Sequence, residues 1–164
     1  MKKILLKFIV LWSLFLQLSG EIESISPQYL ADDWTFIADT PYVNESRLRL
    51  EGSQTYSENN RVQLKVIYTF YDQQISDETI VIEVKAEGYW ILENDQIVEK
   101  YGDNISTHFD SSKRSKLVKR LAKEIEKTFK GDITNSISSI LPNSFTVTCD
   151  GFSYKMNRNV SDGT

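Results

Sequence analysis

The chain has 164 residues, with 19 lysines and arginines against 23 aspartates and glutamates, one histidine and one cysteine. That balance speaks against nucleic acid as a partner, because binding to phosphates rests on a positive patch. A single cysteine excludes an internal disulfide, and a single histidine excludes a histidine metal cluster.

At the amino terminus Lys2, Lys3 and Lys7 precede an uncharged run from Phe8 to Leu18, which ends at Ser19-Gly20. A positive flank, an apolar stretch and a small-residue exit form the pattern of an export signal. The run is shorter than the roughly 20 apolar residues that span a bilayer, which favours a cleaved signal peptide. Leu18 and Gly20 make only a fair cleavage signal, so a retained membrane anchor stays open. Both readings put residues 21–164 on the far side of a membrane, since the lysines stay in the cytoplasm. Without the three leader lysines the remainder has a net charge near −7. The expected plan is a leader at 1–20, a connector at 21–32, one domain at 33–156 and a flexible tail at 157–164.

Within the domain, Trp34–Ala38 reads as a strand or a helix edge and Asp39-Thr-Pro-Tyr42 as a turn. Arg47–Glu51 alternates in polarity, and Gly52–Asn60 reads as a polar loop. Arg61–Tyr71 carries the strongest periodic signal, with Val62, Leu64, Val66, Tyr68 and Phe70 on one face. Thr79–Leu92 repeats it through Ile80, Ile82, Val84 and Ala86, until Gly88 is expected to interrupt the pattern as a bulge or barrel corner. Glu93–Gln96 is then a turn, and Ile97–Tyr101 pairs back.

One helix is expected from about Ser112 to Lys130, capped by Asp110, Ser111 or Ser112 and ended by Gly131. Its apolar stripe is Leu117, Val118, Leu121, Ala122, Ile125 and Phe129. The opposite face is basic, from Lys113 through Lys127, which suits a solvated face, an anionic membrane surface or an acidic partner. Beyond it, Ser136–Leu141, Phe145–Cys149 and Phe152–Met156 read as strands, the last two joined by an Asp150-Gly151 hairpin turn. The fold class expected is mainly β (α+β): a curled antiparallel sheet or lipocalin-like β-barrel with one long amphipathic helix.

Catalytic chemistry is sparse. No Gly-x-Ser-x-Gly elbow or glycine-rich phosphate loop is present, and the Asp32-Asp33 pair reads as a cap or a solvated turn. The expectation is a protein that is not an enzyme and needs no cofactor or metal. Tyr68, Phe70, Tyr89 and Trp90 are the candidate ligand-binding residues, although aromatics on strands are more often packing. His108, in Ile105–Phe109 with Asp103 and Asp110 nearby, is the candidate pH switch, against the plainer reading of a loop histidine facing solvent. Cys149, on the face of Phe145 and Val147, is expected to be a buried thiol.

The order of these features carries a resemblance. Asp33-Trp34 near the start of the domain, the strand ending Val66–Asp72, the segment Gly88-Tyr-Trp-Ile-Leu92, a hairpin, one helix and a final strand pair resemble the small periplasmic co-regulators of ToxR-type membrane transcription factors, the ToxS, VtrC, PsaF and MyfF proteins. The likeness spans most of residues 33–156. It implies a lipocalin-like barrel in the bacterial periplasm or on the periplasmic face of the inner membrane, often completed by the partner transcription factor in a heterodimer. It also implies control of virulence or fimbrial genes and, in some members, a bound bile salt. The alternative is a free-standing carrier of a small hydrophobic molecule. A fimbrial chaperone is disfavoured, because two immunoglobulin-like domains need more chain than this.

Overall fold

A computed structural model describes residues 25–41, 47–71, 79–109 and 115–159. The leader, residues 21–24 of the connector, the cap positions at 110–112 and the tail beyond Asn159 lie outside the described residues. The elements run α1 (Pro27–Leu30), β1 (Asp33–Pro41), β2 (Arg47–Tyr56), β3 (Arg61–Tyr71), β4 (Thr79–Glu93) and β5 (Gln96–Lys100). They continue with β6 (Ile105–Phe109), α2 (Ser115–Phe129), β7 (Asp132–Leu141), β8 (Ser144–Cys149) and β9 (Phe152–Arg158).

Eight strands close on themselves in the order β1-β2-β3-β4-β5-β7-β8-β9, and β9 returns to β1 through Trp34↔Arg158, Thr35↔Asn157 and Phe36↔Met156. Every pairing is antiparallel. β6 is an additional strand, laid against Ile82–Ala86 of β4. The molecule is thus an eight-stranded, lipocalin-like β-barrel with one long amphipathic helix.

The alternation that marks β3 and β4 in the sequence is the alternation of the barrel wall. Val62, Leu64, Val66 and Phe70 are buried, and so are Ile82, Val84 and Ala86. Gly88 does not break the phase, for Trp90 is buried in step with Ala86. What changes at Gly88 is the neighbour: β4 pairs with β6 up to Ala86 and with β5 from Tyr89 onward. The chain leaving β5 crosses here so closely that a Cβ on Gly88 would lie 2.2 Å from the Lys100 carbonyl oxygen.

Four segments depart from the sequence reading. Gly52–Tyr56 is strand, because Gly52 faces inward and leaves room for the Phe36 ring, while Gln54 and Tyr56 find polar partners inside. Ile105–Phe109 is β6, held by the ladder to β4 despite its polar sequence. Asn157 and Arg158 belong to β9, where Asn157 pairs with Ser144 and Thr35. Asp39–Pro41 likewise extends β1 through pairs with Arg47–Arg49 instead of turning. Two of the tight hairpins are built as their residues suggest, with positive φ at Asn94 and Asp95 and at Asp150 and Gly151.

One end of the barrel is sealed by α1. Ser26 caps this single turn, Pro27 sits at its start and Leu30 is fully buried. The Trp34 indole donates to the Leu30 carbonyl at 2.8 Å and packs edge-on against Phe145, with ring centroids 4.7 Å apart. The Arg158 guanidinium lies 5.0 Å over Trp34 and pairs with Asp32 at 2.9 Å. α2 lies along β6, β4 and β7. Val118, Ala122, Ile125 and Phe129 form its buried stripe, whereas Leu117 is exposed. Among the described residues no helix is long and apolar enough to cross a membrane.

Candidate functional site

The end of the barrel away from α1 holds a cavity of about 480 Å³. Phe36, Leu50, Leu64, Val66, Tyr68, Phe129, Ile133, Phe152 and Tyr154 supply most of its wall, and Gln54, Glu99 and Asn135 a polar patch. Asp132, Thr134 and Asp150 are exposed and stand where the cavity meets solvent. β7, β8 and β9 end at this level while β2, β3 and β4 run on, which leaves the opening beside the end of α2.

Glu99 organises the polar patch. The alternation of β5 turns Ile97 and Glu99 inward, and Glu99 is 3% exposed. Its Oε1 accepts from Gln54 Nε2 at 2.7 Å and from the Tyr56 hydroxyl, and its Oε2 accepts from the Tyr101 hydroxyl at 2.9 Å. Asn135 adds a further side-chain hydrogen bond. Gln54 uses its second amide hydrogen on the Tyr101 oxygen, 3.0 Å away. A carboxylate offers about four acceptor positions, and the four groups around this one present hydrogens to it. Among the described residues, no lysine, arginine or histidine lines the cavity.

Burial pushes the Glu99 carboxyl above the ordinary glutamate range, and the hydrogen bonds from Tyr56, Tyr101, Gln54 and Asn135 hold it back in part. Burial, and then the Glu99 charge, raise the Tyr56 and Tyr101 hydroxyls well above their usual value, so both remain donors. Burial alone does the same to Tyr68, and burial with the charge of Glu99 to Tyr154.

The sign of the Glu99 shift sets a pH dependence. A carboxyl that binds its proton more tightly when folded contributes stability below its unfolded pKa, near 4.5, and loses that contribution as pH rises through the higher folded value. Glu99→Gln removes the titration. Urea unfolding between about pH 4 and 7 should therefore show stability falling less with rising pH in the variant than in the wild type. Parallel curves would place the folded pKa of Glu99 at its ordinary value.

The residues singled out in the sequence fall in different places. Tyr68 lines the cavity and stacks near Phe70, with centroids 6.5 Å apart, while Phe70 is buried beyond the lining. Trp90 is buried against Tyr56 and donates to the Ser57 carbonyl at 3.2 Å. Tyr89 points out of the barrel, 56% exposed, beneath the Arg61 guanidinium. Because neighbours on a strand face opposite ways, Tyr89 cannot share a pocket with Tyr68, whereas Trp90 faces inward but packs against Tyr56, away from the cavity lining. His108 is on the exposed side of β6, opposite Glu83, which is already bound by Lys65 and Lys85. Cys149 is half-buried and borders the cavity, and burial raises its thiol pKa.

Glu99, Gln54, Tyr56 and Asn135 were not expected at the site. One signal for them is present in the sequence: Ile97-Val-Glu-Lys-Tyr101 places an acid on the apolar face of a strand. No known family model matches the chain, and no curated protein is similar to it.

Proposed function

We propose that this is a binding protein, not an enzyme, which holds a small hydrophobic ligand in the barrel cavity. The observation that carries this reading is the cavity itself: about 480 Å³, walled mainly by aliphatic and aromatic side chains with one convergent polar patch. Ligand sites of small-molecule binders have this composition and this order of size. The leader sequence supports a location in the bacterial periplasm.

A closed barrel favours the free-standing carrier over a domain completed by another chain, because β9 pairs with β1 and leaves no gap for a partner strand. Regulation of a ToxR-type transcription factor then takes a different form, in which a ligand-bearing barrel docks by its outer surface. Titration with the neutral fluorophore aminoanthracene should give saturable, blue-shifted emission at one molecule per chain. Val66→Phe, which fills the cavity from β3, should abolish that emission while circular dichroism remains that of the wild type. Absence of saturable binding to the wild type would overturn the reading.

A further inference from the structure

We propose that the ligand is an organic cation, a protonated amine on a compact and partly aromatic body, with Glu99 as its counter-ion. This rests on the cavity being the binding site. Among the described residues Glu99 has hydrogen-bond partners but no cationic partner in the wall: Gln54, Tyr56, Tyr101 and Asn135 satisfy its oxygens without offsetting its charge. At the rim Asp132 is matched by Lys100 at 2.9 Å, whereas Asp150 adds a second carboxyl on the lining. An anionic ligand would bring another negative charge into a low-dielectric space that already holds one, and no cation of the described lining stands ready to receive it. A cation entering the same space gains the attraction of Glu99.

The remaining wall fits that ligand. Phe36, Tyr68, Phe129, Phe152 and Tyr154 present rings to the cavity. Ring faces attract ammonium groups and pack against an aromatic body. A steroid carboxylate or sulfonate, as in a bile salt, is the class this lining repels.

Three nearly isosteric probes separate the possibilities: naphthylethylamine, naphthylethanol and naphthylacetate, each titrated calorimetrically into the full exported domain at neutral pH. The amine should bind at least about tenfold more tightly than the alcohol, a factor worth about 1.4 kcal/mol, and the acetate more weakly than either. Glu99→Gln should remove the preference, so that the amine binds the variant no more tightly than the alcohol does. Equal affinities of amine and alcohol for the wild type, or tighter binding of the acetate, overturn the inference while the cavity stands as a binding site. That comparison needs no variant, so a folding defect in Glu99→Gln cannot obscure it. If none of the three binds, the cavity is not the site and the inference falls with it.

Discussion

Gly88→Ala should destabilise the barrel by about 3 kcal/mol or more, and the loss should be visible as a lower midpoint in urea unfolding. Adding one methyl group is rarely so damaging. Here it would meet the Lys100 carbonyl oxygen at 2.2 Å, the Lys100 carbonyl carbon at 2.8 Å and the Tyr101 Cα at 2.9 Å, all of them backbone. A side chain in the way can rotate, but these atoms cannot move without displacing the end of β5. That end carries Glu99 and leads directly into Tyr101, so the polar patch of the cavity would shift with it. Gly131→Ala is the control, because a Cβ there meets nothing within 4 Å. If both alanine variants keep wild-type stability, the close crossing of β4 and the β5 exit is not as described.

Val62→Asp should leave little folded protein, while Lys65→Asp should stay close to wild type. Val62 is fully buried and does not border the cavity, so an aspartate there has neither water nor a cation to meet. An unpaired buried charge costs several kcal/mol, comparable with a domain stability of about 5 to 15 kcal/mol. Lys65 points outward from the same strand and holds only an exposed ion pair with Glu83 at 3.3 Å. Such pairs contribute roughly 0 to 1 kcal/mol. Leu64 and Val66 are less decisive positions, because both border the cavity and an introduced carboxylate could stay hydrated there. Thermal unfolding followed by circular dichroism distinguishes the variants. Similar midpoints for Val62→Asp and Lys65→Asp would reverse the facing of β3.

Much of the barrel is legible in the sequence, and the reason is that its walls are two-sided. β3 and β4 have one dry face and one wet face, so their period of two is written in residue type from Val62 to Trp90. The Asp150-Gly151 turn declares itself because few residues accept positive φ. β2 and β6 are less legible. Gly52-Ser-Gln-Thr55 and Ile105-Ser-Thr-His108 have loop compositions and are strands only because long neighbours pair with them. The site is hidden for a related reason. A binding cavity needs polar groups on the inner face, and Gln54, Glu99 and Asn135 are residue types ordinarily assigned to solvent. The aromatic residues chosen as ligand contacts were selected by type, whereas the strand phase separates Tyr68 inside from Tyr89 outside.

The junction of β1 and β9 has a consequence for how the molecule folds and opens. Three residue pairs join these strands, against eleven between β3 and β4. The strands come from opposite ends of the domain, so the junction closes the longest loop in the chain and gains the least ladder in return. The β3–β4 hairpin is expected to form early as a local structure and the seam to zip last. In the folded state the ordering should run in reverse: amide protons along Thr35–Phe36 and Met156–Asn157 are expected to exchange through local opening before those in the middle of β3, as hydrogen exchange would show. Arg158, held by Asp32 and laid over Trp34 and Tyr29, acts there as a staple across a short seam. The barrel is therefore expected to part first along this line, at the sealed end and away from the mouth of the cavity.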